Sequence, residues 1–351
     1  MTEFAERLFD WWRDNGRHDL PWQQPRSMYR VWISEVMLQQ TQVATVIPYF
    51  ERWMARFPEL ATLASAPLDE VLAQWSGLGY YARARNLHRA AQACVAEHGG
   101  ELPIDPEVLA SLPGIGPSTA NAIVSQALDR PLPILDGNVK RLLARHAAIA
   151  GWPGTSAVQK TLWAEAQARL PASRGADYSQ AIMDLGATLC TARAPRCRDC
   201  PVSGDCKAFG SNSVAEFPSA KPARPPRELQ LYLLLWRRGD AVLLERRPPA
   251  GIWGGLWCLP QGGSTEELVQ RFGLEAADLT AQPALTHRLT HRLLRLIPLA
   301  TRAEGVARGV ECGTTLAWQP CTAWAQLGLP KPVARMLHEL DTATQQETHC
   351  Q

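Results

Sequence analysis

A single glutamate near the N-terminus of this sequence stands in an unusually apolar stretch. Residues 29–40 read YRVWISEVMLQQ and contain Glu35. Its neighbours one turn away on a helix would be Val31, Trp32, Leu38 and Gln39. Desolvation in such a setting raises the pKa of a carboxyl group and makes it a usable proton donor near neutral pH. We therefore predict a general acid at Glu35, the alternative being a glutamate at a domain edge bonded to a backbone amide.

A second carboxylate, Asp136, precedes a helical pattern that begins at Gly137 and Asn138. This is a natural N-cap position, and helix capping alone would explain an aspartate there. A capping aspartate is expected to be partly solvated and to remain ionised, which suits it to stabilise a cation. An acid in an apolar site and an ionised partner together provide the two roles used to break glycosidic bonds.

Four cysteines follow one another with the spacing C-x6-C-x2-C-x5-C, at Cys190, Cys197, Cys200 and Cys206. Four thiolates this close in sequence can hold either Zn²⁺ or a [4Fe–4S] cluster, and the spacing does not choose between the two. The remaining cysteines have no ligand spacing and are predicted to be buried or terminal thiols: Cys94, Cys258, Cys312, Cys321 and Cys350.

Between the two carboxylates lies a tight turn flanked by helical patterns, residues 112–120 with the sequence LPGIGPSTA. We expect Gly114 and Gly116 to provide left-handed φ values and a close backbone approach. Pro117 suits the first position of the second helix. The free N–H groups of such a turn form a natural phosphate site, although a turn of this kind between two helices is also common without one.

The length and composition of the chain limit the classes of protein to which it can belong. The chain has 351 residues, a formal net charge of +2, 46% hydrophobic and 20% charged residues. This length predicts two domains, and the small net charge means that any nucleic-acid binding must come from local patches. We see no signal peptide and no run long enough to span a membrane, so we expect an intracellular protein in which nine cysteines serve as metal ligands or buried thiols.

The pattern of apolar residues divides the chain into an all-α domain at residues 1–215, a proline-rich linker at 216–228 and an α+β domain at 229–345. In the first domain, helical periodicity runs without a break from Val31 to Phe57 and again from Tyr178 to Cys190. In the second, a hairpin, two further strands and two helices are predicted at Leu229–Trp236 with Ala241–Glu245, Leu293–Leu299, Thr314–Trp318, Ser264–Phe272 and Pro332–Leu340.

Several segments together resemble the helix–hairpin–helix DNA glycosylase superfamily: SEVMLQQT at 34–41, GLGYY at 77–81, the hairpin, LDGN at 135–138 and the four cysteines. Within it the chain resembles the MutY-type adenine DNA glycosylases from about Phe4 to the C-terminal domain. In that family the four cysteines hold a [4Fe–4S] cluster in the loop 190–206, so the resemblance favours the cluster over zinc.

The resemblance also implies roles for individual residues. Glu35 would protonate the adenine leaving group and then activate water, Asp136 would stabilise the oxocarbenium ion, and Asn138 would support that site. Extruding a base costs a few kcal/mol, so contacts that hold the duplex open are required. The residues expected to wedge into the duplex are Gln40 and Tyr80, and those expected to line the adenine pocket are Leu20, Trp22 and Gln180.

Ser118 distinguishes this chain from the sister family that resembles endonuclease III. Those enzymes carry a Schiff-base lysine at this hairpin position and cleave the strand as lyases. A serine has no amine nucleophile, so the resemblance implies a monofunctional glycosylase.

The C-terminal domain resembles a Nudix-like domain through LLERRPP at 243–249 and GIWGGLWCLP at 251–260. It lacks the acidic cluster with which Nudix hydrolases bind Mg²⁺, so we expect lesion recognition rather than hydrolysis. In the family a Phe-Ser-His loop senses 8-oxoguanine. This chain has Leu289, Thr290 and His291 instead, which keeps the hydroxyl and loses the aromatic ring.

The prediction is therefore a monomeric enzyme of the cytoplasm and nucleoid. It would remove adenine mispaired with 8-oxoguanine or guanine from double-stranded DNA in base excision repair. The alternatives are an oxidised-pyrimidine glycosylase/lyase of the endonuclease III type and a non-catalytic iron–sulfur DNA-binding protein.

Overall fold

A computed structural model describes residues 2–222, 225–303 and 316–349, the last nine of these for the backbone alone. Within them the chain forms two compact units, one of the described residues up to Ser65 with Asn86–Pro222 and one of Ala66–Arg85 with the described residues from 225 onwards. Some predicted features lie outside the described residues. They are Cys312, Cys350 and the first two residues of the strand predicted at Thr314–Trp318. No helix in the described ranges is long and apolar enough to cross a membrane.

The described chain contains fourteen α-helices. In chain order they are α1 (Glu3–Asn15), α2 (Met28–Leu38), α3 (Val43–Arg56), α4 (Leu60–Ser65), α5 (Leu68–Gln74), α6 (Ala82–Glu97), α7 (Pro106–Ser111), α8 (Pro117–Leu128), α9 (Gly137–His146), α10 (Ser156–Ala168), α11 (Gly175–Asp184), α12 (Lys207–Gly210), α13 (Thr265–Phe272) and α14 (Lys331–His349). In the first unit α1, α8, α9, α10 and α11 pack around one buried apolar cluster that includes Leu8, Val139, Leu162 and Ile182.

The expectation of an unbroken helical pattern from Val31 to Phe57 is wrong between residues 39 and 42. Helix α2 ends at Leu38 and α3 begins at Val43. Gln40 between them has a φ of +59°, a left-handed conformation that cannot continue an α-helix. Glycine and asparagine are the usual residues at such a helix end, so a glutamine there has no sequence signal.

The helix predicted at Tyr178–Cys190 changes its winding in its last turn. Helix α11 ends at Asp184, and a π-helical turn follows over Leu185–Leu189. The Cys190 N–H donates to the Leu185 carbonyl oxygen at 2.8 Å. Gly186 lies so close to Asn138 that a Cβ at position 186 would be 2.8 Å from the Asn138 Cβ. The wider turn therefore brings the chain that leads into Cys190 against the start of α9.

The second unit is built on a mixed sheet. Its strands are β1 (Arg227–Arg238), β2 (Ala241–Arg246), β3 (Trp257–Cys258), β4 (Gln261–Gly262), β5 (Thr280–Ala281), β6 (Leu285–Arg288), β7 (Arg292–Thr301) and β8 (Leu316–Pro320). The order is β3-β2-β1-β7-β5, with β4 paired to β1, β6 to β7 and β8 to β2. β1 and β7 run parallel, and β1 and β2 form the predicted hairpin.

The two faces of this sheet bury separate apolar clusters. One cluster includes Val333 and Leu337 of α14, and the other includes Leu268 and Phe272 of α13. Helix α13 is capped by Ser264, whose hydroxyl accepts the Glu267 N–H. The sheet is therefore covered by one helix on each side, as its alternating burial requires.

The segment 66–85 belongs to this second unit although it precedes the linker by more than a hundred residues. Asp69 forms an ion pair with Arg246 at 2.8 Å, and the Tyr81 hydroxyl donates to the Leu329 carbonyl at 2.9 Å. The sequence patterns did not indicate this packing. The predicted domain boundaries at 215 and 229 remain predictions.

Candidate active site and cysteine cluster

Glu35 lies on α2, which packs against α8. Its Oε1 accepts a hydrogen bond of 2.8 Å from the side-chain amide of Gln126 on α8. Burial raises the pKa of Glu35 from its ordinary value of 4.5 to about 7; the Gln126 bond lowers it and the charge of Asp136 raises it further. The predicted apolar environment is therefore present, and it keeps a large fraction of the carboxyl group protonated up to about pH 7.

Asp136 caps α9 as predicted, and its Oδ1 accepts the Val139 N–H at 2.7 Å. Its other oxygen accepts the side-chain amide of Asn138 at 3.2 Å. Asp136 is half-buried, in keeping with the expected partly solvated cap, and burial raises its pKa. The bonds from Val139 and Asn138 and the nearby charge of Arg141 lower its pKa and partly offset that burial. Asp136 is therefore a carboxylate surrounded by donors, in contrast to Glu35 with its single amide.

The predicted helix–hairpin–helix is formed by α7 and α8 with residues 112–116 between them. Gly114 has a φ of +80°, and a Cβ there would be 2.7 Å from the Asn86 Cβ, so glycine is required for both conformation and space. For Gly116 the prediction of a left-handed φ is wrong. Its φ is −94°, and a Cβ there would meet nothing within 4 Å. Gly116 is the N-cap of α8 without a side-chain cap, which leaves N–H groups of the first turn for a ligand.

Ser118 follows the hairpin and makes a specific contact. Its Oγ accepts the Leu135 backbone N–H at 2.8 Å. Leu135 directly precedes Asp136, so the Ser118 hydroxyl fixes the backbone that carries the second carboxylate.

The residues predicted to line an adenine pocket are all buried. Leu20, Trp22 and Gln180 are 6%, 2% and 3% exposed, and the Trp22 ring packs edge-on against Phe50. Gln180 Nε2 donates to Asp184 Oδ1 at 2.7 Å. Their contact with a base stays a prediction.

Asp184 is a fully buried carboxylate that the sequence analysis missed. Its oxygens accept hydrogen bonds from the Trp12 indole at 3.0 Å and from the Arg17 N–H at 2.8 Å, and the Arg17 guanidinium pairs with it at 2.6 Å. The available signal was the same as for Glu35, a single acid within the apolar run AIMDLG. Asp184 thus ties the segment after α1 to α11 and orients Gln180.

The residues predicted to enter the duplex have strained backbones. Gln40 and Tyr80 have φ values of +59° and +49°, and Tyr80 is 49% exposed. Such conformations cost about 1–3 kcal/mol and cluster at functional sites. The Tyr80 hydroxyl lies 3.0 Å from the Thr290 hydroxyl at the tip of the β6–β7 hairpin, where His291 is also exposed. Tyr80, predicted to enter the duplex, and Thr290, in the loop predicted to recognise the lesion, are therefore in contact within the second unit.

The four predicted cysteine ligands line one cavity together with Arg145 and His146. None of the cysteines in the described ranges forms a disulfide. Arg145, which is 4% exposed, donates to the Cys190 Sγ at 3.4 Å and to the Thr191 carbonyl at 2.7 Å. A buried guanidinium on a sulfur fits a thiolate-bound, negatively charged group.

The cysteine loop is connected to Asp136 through one arginine. Arg141 Nε donates to the Cys190 carbonyl at 2.8 Å, and its Nη2 donates to Asn138 Oδ1 at 2.9 Å. Asn138 in turn donates to Asp136. Asn138 therefore lies between Arg141 and Asp136 in a chain of hydrogen bonds, and its role in supporting the site stays a prediction.

Comparisons with known proteins bear on the whole chain. The family model described as "HhH-GPD superfamily base excision DNA repair protein" matches residues 33–167, and that of the "NUDIX domain" matches residues 231–339. The chain is 32% identical to the adenine DNA glycosylase of Buchnera aphidicola subsp. Schizaphis graminum over 338 residues, 95% of this chain and 97% of that protein. The chain belongs to the adenine DNA glycosylase family. It is also 36% identical to the human adenine DNA glycosylase, over 83% of this chain and 63% of that protein.

Solved structures share the fold of the helical part of this adenine DNA glycosylase family member. A thermostable thymine-DNA glycosylase is 24% identical with a TM-score of 0.54, over 59% of this chain and 95% of that one. An endonuclease III in a non-covalent DNA complex is 22% identical with a TM-score of 0.51, over 60% of this chain and 99% of that one. The predicted family and the predicted fold class, a helical glycosylase domain followed by a Nudix-like domain, are both confirmed.

Proposed function

We propose that this member of the adenine DNA glycosylase family is a monofunctional enzyme that hydrolyses the N-glycosidic bond of adenine opposite 8-oxoguanine or guanine. The observation that carries the proposal is the pairing of Glu35, whose pKa is raised to about 7, with the donor-rich carboxylate Asp136. The relatives that match 95% of the chain carry the name adenine DNA glycosylase, and this name supports adenine as the substrate.

The two carboxyl groups divide the reaction between them. Glu35 gives its proton to a ring nitrogen of adenine as the C1′–N bond breaks and the bonding electron pair leaves with the base. Asp136 stabilises the positive charge that develops on the sugar. Water then attacks C1′ and returns a proton to Glu35, which restores the acid. This division of roles requires Glu35 in its protonated form and Asp136 in its ionised form.

Each of the two units has features of its own that suit DNA. In the first unit, the N–H groups at the start of α8 suit a phosphate. In the second unit, the exposed pair of Tyr80 and Thr290 suits contact with a base. Ser118 leaves the hairpin without an amine, which supports hydrolysis without strand cleavage. We propose that the enzyme acts as a monomer on the double-stranded DNA of the nucleoid.

We also propose that Cys190, Cys197, Cys200 and Cys206 hold a [4Fe–4S] cluster that shapes the loop 190–206. The cavity they line and the Arg145 donor on Cys190 Sγ support this assignment. Four iron atoms per chain are expected after anaerobic purification, and Cys200→Ser should lower that number where Cys258→Ser, at a buried cysteine of the second unit, should not. Zinc in place of iron would overturn the assignment.

The activity is tested with duplexes that carry one adenine opposite 8-oxoguanine, guanine, thymine or cytosine, followed by alkali. Cleavage opposite 8-oxoguanine and guanine, seen only after alkali, is the expected result. Glu35→Gln should reduce single-turnover excision by about 10²-fold or more, whereas Glu51→Gln, the same change at an exposed site on α3, should not. Wild-type excision by Glu35→Gln would refute the acid assignment, and strand cleavage without alkali would refute the monofunctional one.

A further inference from the structure

We infer that Gln126 is the positioning residue for Glu35, holding its carboxyl group in place in both protonation states that excision requires. The inference rests on the proposed function of Glu35 as the acid. The contact is direct, with 2.8 Å between Gln126 Nε2 and Glu35 Oε1. Neither the sequence motifs nor the comparisons point to position 126.

The position of Gln126 in its helix makes the contact informative. It is 5% exposed and lies within the run AIVSQAL of α8. A buried amide is costly unless it is hydrogen-bonded, and an aliphatic side chain would fill the same space without that requirement. The preceding residue, Ser125, is also buried, but its hydroxyl bonds to the Ser179 hydroxyl and to the Gly175 carbonyl. Of these two neighbouring polar residues, only Gln126 faces Glu35.

An amide is suited to this task because it has both a donor and an acceptor. Its Nε2 donates to the ionised carboxylate, and rotation of the amide by half a turn lets its Oε1 accept the O–H of the protonated acid. Glu35 passes through both states in each catalytic cycle, since it loses a proton to adenine and regains one from water. Gln126 therefore maintains the direction of the carboxyl group without a change of backbone.

Few charged groups surround Glu35, so the hydrogen bond from Gln126 should have a clear effect on the pKa of Glu35. Helix α8 carries no ionisable side chain, and the charged residues of α3, which also packs on α2, are exposed. They are Glu51, Arg52 and Arg56, with Tyr49 half-buried beside them. Asp136, at the start of α9, raises the pKa of Glu35, and the Gln126 bond lowers it. Removing the amide therefore moves the pKa of Glu35 upwards.

The test compares Gln126→Met with Ser125→Ala in single-turnover excision over a range of pH. Methionine has the length of glutamine and no hydrogen-bonding amide, whereas Ser125→Ala removes a buried hydrogen bond that does not involve Glu35. We expect Gln126→Met to move the alkaline limb of the rate profile up by about one pH unit and to lower the maximal rate by about tenfold. Ser125→Ala should leave the position of the limb unchanged.

A second variant, Gln126→Glu, keeps a group that can bond Glu35 when protonated. It should recover the rate on the acid side and move the alkaline limb still higher, because two adjacent carboxyl groups resist a second ionisation. An unshifted limb in both Gln126 variants would overturn the inference. If Glu35→Gln retains excision, the proposed function fails instead, so the two failures are distinguishable.

Discussion

Replacing Glu35 by glutamine should stabilise the folded protein at alkaline pH while it removes the activity. Glutamine keeps the shape of the side chain and can still accept the hydrogen bond from Gln126. It lacks the charge that burial disfavours. The catalytic acid would therefore be a site where stability is lost in favour of function.

The magnitude follows from the pKa of Glu35. A rise from 4.5 to about 7 means that the folded protein binds this proton more tightly than the unfolded chain. The free energy of unfolding therefore falls as the pH rises from 4.5 to about 7, and Glu35 alone accounts for a decrease of about 3 kcal/mol. Glu35→Gln should recover most of that amount at about pH 8 and less than about 1 kcal/mol at about pH 5.

The assay is denaturant unfolding of the full chain at both pH values, followed by far-ultraviolet circular dichroism. Glu51→Gln, an exposed control on the neighbouring helix, should show no such difference between the two pH values. A Glu35→Gln variant whose stability relative to wild type does not change with pH would refute the argument that burial, rather than a specific bond, controls this carboxyl group.

Three further results are expected. The single-turnover rate of wild-type excision should fall about tenfold for each pH unit above about 7, because the acid Glu35 is then increasingly ionised, and a flat profile would contradict this. Gly114→Ala should weaken duplex affinity and lower the free energy of unfolding by about 1–3 kcal/mol, because the φ of residue 114 is +80° and the new Cβ would overlap Asn86. Gly116→Ala should fold normally, because residue 116 has a φ of −94° and open space around its Cβ position. Equal stability of the two variants would show that the hairpin does not depend on Gly114. Thr290→Val keeps the shape of the side chain and removes the hydroxyl that contacts Tyr80. In competition assays it should reduce the preference for adenine opposite 8-oxoguanine over adenine opposite guanine by about 5- to 10-fold. An unaltered preference would show that this contact has no part in lesion recognition.

Features that depend on neighbouring residues were predictable from the sequence. The apolar surroundings of Glu35, the cap at Asp136, the first-turn proline of α8 and the β1–β2 hairpin all follow from residues within one or two helical turns or one strand pair. The break at Gln40 was not predictable, because its left-handed φ is maintained by packing and not by residue type. Gly116 was assigned the wrong conformation for the converse reason, since glycine permits a left-handed φ but does not require one.

The sequence alone determined the chemical inventory of this protein: an acid in an apolar helix, a capping aspartate, a hairpin without an amine and four clustered cysteines. Only the tertiary structure decided which groups meet. Glu35 and Gln126 are 91 residues apart, and Tyr80 and Thr290 are 210 apart, yet each pair is within hydrogen-bond distance. Periodicity specifies which face of a helix is buried but not which partner covers it. The tuning of Glu35 therefore depends on how α2 and α8 pack, because desolvation and a single buried amide act only once the chain has folded.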